Sequence, residues 1–292
     1  MYLQHFGLSQ HPFSLTPNTR FFLKLPAYQE AFNSLVIALN DNEGFIKVTG
    51  EVGVGKTMLC RKVLNALECH KKRYVTAFIP HPYLSPEGLL NALVEELKIK
   101  RVVNSRYHDL LGQITTKLTE HALEKKRVIL FVDEAQAMPR DTMETLRQLT
   151  NIETREKMLL QVVLFGQPEL DERLQQPSLR QLKQRITYSY HLKPLDCNGI
   201  RSYVMHRLTT AGFNGPELFT SKAIKLLHKS SRGIPRLVNI ITHKAMMSAF
   251  GKGDLVINKF HIESAILDTE DASVPILPLP FKLKVSVPGF LL

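Results

Sequence analysis

Apolar, β-favouring positions run almost without interruption at residues 45–49, 74–79, 128–132 and 159–165, and more weakly at 187–192. Runs this short, with no polar alternation, suit strands buried on both faces of a parallel sheet. Helix-length stretches lie between them at 56–69, 86–97, 107–124 and 141–150, with a short one near Leu170. Strands that alternate with helices predict βαβ units and therefore an α/β fold built on a doubly wound parallel sheet. From about Pro194 the strand pattern stops and four helices are predicted, at 196–211, 220–231, 234–250 and 258–269. Asp196, Thr220 and Asn258 are their candidate N-caps, and Gly212, Gly233 and Gly251 punctuate the ends. The predicted division is an α/β domain at 1–193, a C-terminal all-helical domain at 194–270, and a tail at 271–292. In the tail Pro275, Pro278, Pro280 and Pro288 exclude a regular helix.

A chain of 292 residues has room for one sizeable α/β domain and a smaller companion. The shares of hydrophobic (44 %) and charged (22 %) residues are those of a globular protein. No window approaches the roughly 18 uninterrupted apolar residues that a membrane span requires. The first ten residues lack the basic and apolar regions of a secretory leader, so the cytoplasm is the expected compartment. No repeat and no low-complexity tract appears, which removes the solenoid and disordered classes. Cys60, Cys69 and Cys197 are an odd set without metal-site spacing, expected to be reduced and mostly buried thiols. The net charge of +11 invites a polyanion partner, but the excess is diffuse. Its small clusters at 70–73, 98–101 and 125–127 border predicted elements and read most simply as solvated loops.

The chemistry is carried by Gly50-Glu51-Val52-Gly53-Val54-Gly55-Lys56-Thr57, which fits GxxxxGK[ST] between a predicted strand and a predicted helix. Glycines are needed there because the backbone must curl until successive N–H groups point at phosphate oxygens. Lys56 supplies a point charge for the β- and γ-phosphates, Thr57 a hydroxyl for Mg²⁺, and the following helix its N-terminal dipole. The nine residues from Gly50 to Met58 form the candidate ATP-binding loop. The second half of the site is the strand 128–132 delivering Asp133 and Glu134 at its C-terminal end, where open α/β sheets bind ligands. Asp133 is the candidate magnesium ligand and Glu134 the group that orients and polarises the attacking water. The alternative reading of this acidic pair is a helix N-terminal cap. Gln167, ending the next strand, is a candidate γ-phosphate sensor between the acids and the phosphate, or else a turn residue before Pro168.

These residues carry a resemblance. The loop preceded by Gly44-Phe45, the Asp133-Glu134-Ala135-Gln136 motif, Leu146-Arg147 with Asn151 and Glu153-Thr154, Gly166-Gln167-Pro168-Glu169-Leu170 and Gln184-Arg185-Ile186 together resemble the general secretion pathway protein A (ExeA) family of AAA+ ATPases. Phe6-Gly7-Leu8 with Pro12-Phe13 and Pro17-Asn18 matches that family's opening signature, and the likeness covers about residues 1–270. Met58 departs from the family's usual second threonine, and Val54 is a further departure; neither removes a ligand, because Thr57 is retained and the loop contacts are backbone amides. The resemblance implies a P-loop AAA+ ATPase with a helical lid, using ATP and Mg²⁺, that self-associates into a homo-oligomer with nucleotide at subunit interfaces. It implies an arginine reaching the neighbouring site: Arg185 first, Arg180 second, each of which otherwise makes a surface ion pair. It also makes Gly233-Ile234-Pro235-Arg236 similar to a sensor-2 motif, in which Pro235 starts a helix and aims Arg236 at the γ-phosphate. The segment around Phe6 to Phe13 is either a cover for the adenine or a core anchor.

The chain ending soon after the lid favours the family's short form, associated with biogenesis of the mannose-sensitive haemagglutinin (MSHA) type IV pilus. The expected partners are therefore pilus or secretion assembly proteins at the inner-membrane face, with the chain cytoplasmic or peripheral there. The rival reading is a nucleic-acid-associated AAA+ ATPase of the transposition-helper or loader type. No helix-turn-helix module and no basic stripe with interleaved aromatics supports it. A third reading, a scaffold that binds ATP without hydrolysing it, conflicts with Glu134.

Overall fold

The computed structural model describes residues 2–16, 18–23, 25–41, 43–100, 106–153 and 158–273. The four tail prolines, Pro17, Arg101 and Thr154 lie outside these residues. Among the described residues five strands are present: β1 (Phe45–Thr49), β2 (Tyr74–Ile79), β3 (Arg127–Val132), β4 (Leu160–Gly166) and β5 (Ile186–His191). They form one parallel sheet in the order β2-β3-β4-β1-β5. The helices are α1 (Tyr2–His5), α2 (Pro26–Asn40), α3 (Lys56–Glu68), α4 (Pro86–Glu96), α5 (Tyr107–Leu123), α6 (Arg140–Leu149), α7 (Glu169–Leu174), α8 (Arg180–Arg185), α9 (Cys197–Thr210), α10 (Ser221–Ser231), α11 (Pro235–Lys252) and α12 (Lys259–Leu267).

The sheet is covered on both faces, as the apolar runs require. Ile129 and Phe131 of β3 point into one core with Ile46, Val48, Val163 and Phe165, against α2 and α3. Val128, Leu130 and Val132 point into the other with Ala77, Val162 and Leu164, against α4, α5 and α6. β5 is one of the two edge strands, and its burial alternates between half-buried and exposed. That is why its apolar signal is the weakest.

The first core runs on into the C-terminal helices through Leu192, Leu195, Ile200 and Val204. Asp196, Thr220 and Asn258 cap α9, α10 and α12 through their side chains. Gly251 does not end its helix. α11 continues through it to Lys252, and Gly253 takes the left-handed turn at φ 75°. The first residues pack on these helices: Ser9 donates through its N–H and its hydroxyl to the Ala211 carbonyl, each at 2.8 Å, and the Tyr2 hydroxyl meets His243 Nδ1 at 3.0 Å. Of the thiols only Cys60 is buried; Cys197 is half-buried and Cys69 exposed, because Cys69 sits at the C-cap of α3 facing solvent. Among the described residues no helix is long and apolar enough to cross a membrane.

Candidate functional site

β1, β3 and β4 end at one edge of the sheet, with Thr49 level with Gly166 and Val132 level with Leu164. The turn after β1, the acids after β3 and Gln167 after β4 therefore converge. Gly50 is pressed against the chain beyond β5, since a Cβ there would stand 2.7 Å from the Leu192 carbonyl oxygen. Gly53 and Gly55 hold φ 82° and 105°, conformations that side chains resist, and these fold the loop back on itself so that α3 starts at Lys56.

Lys56 is 5 % exposed, and its Nζ donates to the Gly50 and Glu51 carbonyl oxygens at 2.7 and 3.0 Å. Burial pulls its pKa down, against the pull of the Glu134 and Asp133 carboxylates. The cation is thus dry and lodged in its own loop, where an anion is bound most strongly.

Thr57 donates its hydroxyl to Asp133 Oδ2 at 2.7 Å, and Asp133 Oδ1 accepts the Glu134 N–H at 3.0 Å. Burial raises the Asp133 pKa in spite of those two bonds. A buried carboxylate and a hydroxyl side by side are hard oxygen donors. Two such protein ligands would suit magnesium, a hard cation that takes oxygen donors. Glu134 sits at φ 51°, an uncommon conformation for a side chain of its size. Its Oε2 accepts from Gln136 Nε2 at 2.6 Å and Gln167 Nε2 at 2.9 Å. Burial pushes its pKa up, but the amides of Gln167 and Gln136 and the charges of Lys56 and His81 outweigh it and leave it below its ordinary value.

A cavity of about 390 Å³ opens over this edge, lined by Gly53, Gly55, Lys56, Thr57 and Met58 and by Glu134, Pro235 and Arg236. The Arg236 N–H donates to the Gly53 carbonyl at 3.2 Å, so α11 begins on the loop itself, with Pro235 in its first turn. Arg180 and Arg185 do not line this cavity. Arg185 is half-buried at the end of α8 and donates to Thr150 Oγ1 at 3.1 Å; Arg180 is exposed.

Phe6 and Phe13 are core residues, 4 % and 3 % exposed, and do not line the cavity. The cover comes from the next stretch, with Phe21, Phe22 and Tyr28, and from Tyr203, Arg207 and Asn239 of the C-terminal helices. Tyr28 donates its hydroxyl to the Val54 carbonyl. Arg207 stacks 4.7 Å from the Phe21 ring and donates to the Pro12 and Ser14 carbonyls, tying the cover to α9. None of these was singled out from the sequence. Aromatics near a P-loop carry no spacing signal, and Arg207 reads as one more exposed helix charge until the fold buries it.

A protein-family model for an AAA domain matches residues 39–174, which span β1 to α7 and so the whole of the loop, both acids and Gln167. General secretion pathway protein A of Aeromonas hydrophila is 44 % identical over 253 residues, covering 87 % of this chain. The chain belongs with that protein among the AAA domain proteins. It spans 46 % of the length of that relative. Among solved structures, Cdc6p of Pyrobaculum aerophilum superposes with a TM-score of 0.67 at 17 % identity, over 87 % of this chain and 69 % of the other. The Aeropyrum pernix ORC2 protein does so with a TM-score of 0.66 at 15 % identity, over 91 % and 73 %. At such identities the likeness is one of fold, and it places the chain's sheet and helical lid in the P-loop AAA+ architecture.

Proposed function

We propose that the chain binds ATP with magnesium and hydrolyses it to drive assembly or remodelling of secretion or type IV pilus machinery, the MSHA pilus being the specific candidate. The observation that carries this reading is the convergence of Lys56, the Thr57–Asp133 pair and Glu134 on one cavity. In it the amides of Gly50 to Met58 cradle the phosphates and Lys56 leaves its loop carbonyls for the β- and γ-phosphate oxygens. Thr57 and Asp133 would hold magnesium, whose charge would offset that of the phosphates. Glu134 orients a water whose oxygen attacks the γ-phosphorus as the bond to the bridging oxygen breaks, giving ADP and inorganic phosphate. Gln167 and Arg236 contact the γ-phosphate from opposite sides.

Arg185, with Arg180 as the alternative, serves the site of a second copy, which makes the active form a homo-oligomer. The proposed division of labour is catalysis in residues 1–193, a nucleotide-sensing lid at 194–270 and a separate tail beyond. The protein partners would lie at the cytoplasmic face of the inner membrane. The lead over a nucleic-acid role rests on the 44 % identity to a secretion protein. The test is phosphate release against protein concentration for the unaltered chain, Lys56→Ala and Arg185→Ala. Specific activity rising with concentration and lost in both variants is expected; activity independent of both residues would refute the reading.

A further inference from the structure

Gln136 follows Glu134 by two residues, in the single turn Ala135–Ala137. Its carboxamide joins two strand ends. Oε1 accepts the main-chain N–H of Gln167 at 3.0 Å, and Nε2 donates to Glu134 Oε2 at 2.6 Å. The chemistry of the partners settles which way the amide points. A peptide N–H can only donate and an ionised carboxylate can only accept, so the reverse orientation would face donor with donor and acceptor with acceptor. The main chain of Gln136 is pinned as well: Arg173 of α7 donates to its carbonyl and, at 2.6 Å, to that of Met138.

Glu134 Oε2 has a second donor, Gln167 Nε2 at 2.9 Å. Neither glutamine lines the cavity, and the two differ in how their amides are engaged. The Gln136 amide is held at both ends, by the Gln167 N–H and by Glu134, whereas the Gln167 amide is held at Nε2. Gln167 ends the strand beside the phosphate loop, and turning its amide to a phosphate loosens its hold on Glu134. We propose that Gln136 is a positioning residue whose amide keeps the Glu134 carboxylate aimed while Gln167 exchanges that carboxylate for the γ-phosphate. One oxygen, Oε2, stays tethered to the protein, and Oε1 remains for the attacking water. The tether also links Glu134 to the main chain at the end of β4, so the acid and the sensor strand shift together. A misplaced catalytic group loses rate far more readily than binding.

This inference rests on the ATPase reading. Its test compares Gln136→Glu and Gln136→Ala with the unaltered chain in kcat, KM and the Kd for mant-ATP, with Lys56→Ala in the same series. Gln136→Glu keeps the acceptor for the Gln167 N–H and the side-chain volume but replaces the tethering donor by a like charge, so it retains the packing that alanine removes. The expected result for both is a kcat lower on the order of 10- to 100-fold with Kd changed less than about 2-fold. A Gln136→Glu kcat within about 2-fold of the unaltered chain would overturn the proposal, as would a loss of kcat matched by an equal loss of affinity, which marks a merely structural role. Unimpaired mant-ATP binding in Lys56→Ala would instead strike at the phosphate assignment itself, a failure read separately from kcat.

Discussion

Replacing Glu134 by glutamine changes one group and almost nothing else. Glu134 Oε2 accepts two amide donors, at 2.6 and 2.9 Å. In the variant the amide oxygen can take the Oε2 position and keep both bonds, and the new NH₂ then occupies the place of Oε1. Turning two charge-assisted hydrogen bonds into neutral ones costs about 1 kcal/mol in total, so the fold and the cavity persist. The proton acceptor is gone. A positioned general base contributes on the order of 10²- to 10⁴-fold, and kcat should fall by that factor while the Kd for ATP stays within about 3-fold. The assay is single-turnover phosphate release alongside equilibrium binding of the same preparations. A variant that turns over at more than about a tenth of the normal rate would remove Glu134 from the water-orienting role and return it to the alternative reading, a cap.

Two further predictions concern the frame around the site. Gly233→Ala places a Cβ 2.1 Å from the Leu195 carbonyl oxygen at φ 76°, so it should destabilise by about 1–2 kcal/mol for the backbone conformation and more for the clash; an unfolding midpoint in urea equal to that of the unaltered chain would contradict the lid's docking. His121, His206 and His243 all have pKa values lowered by burial first and by neighbouring cations or His11 second. Below about pH 6.5 the unfolded chain takes up protons that these histidines refuse in the fold, so stability should fall as the pH drops through that point and level off above it. Thermal unfolding between pH 7.5 and 5.5 reads this directly, and a flat profile would count against those environments.

The central strands β1, β3 and β4 were legible because both faces are buried, and β1 and the edge strand β2 begin and end at the residues where the apolar runs do. The edge strand β5 was displaced by one residue, since its alternating exposure blurs both ends. No element was assigned before Phe45, although α2 carries the helical signature plainly, with Tyr28, Ala31, Leu35, Ala38 and Leu39 buried and Pro26 in its first turn. Gly251 looked like a stop, but a glycine near a helix end costs only about 1 kcal/mol; α11 runs on to Lys252, and the left-handed turn is left to Gly253. The phosphate loop and the acids were readable because their chemistry depends on local spacing. The bridging amide of Gln136 and the cover from Phe21, Tyr28 and Arg207 depend on which strand ends and helices meet, and no local pattern encodes that.

The most direct test of the central claim is the affinity for Mg-ATP, measured by calorimetry on the unaltered chain and on Lys56→Ala and Thr57→Ala. The account predicts micromolar binding that is weakened by about 100-fold without Lys56 and loses much of its dependence on magnesium without Thr57, Asp133 remaining as the second ligand. Mg-ATP binding of equal strength in all three would contradict it.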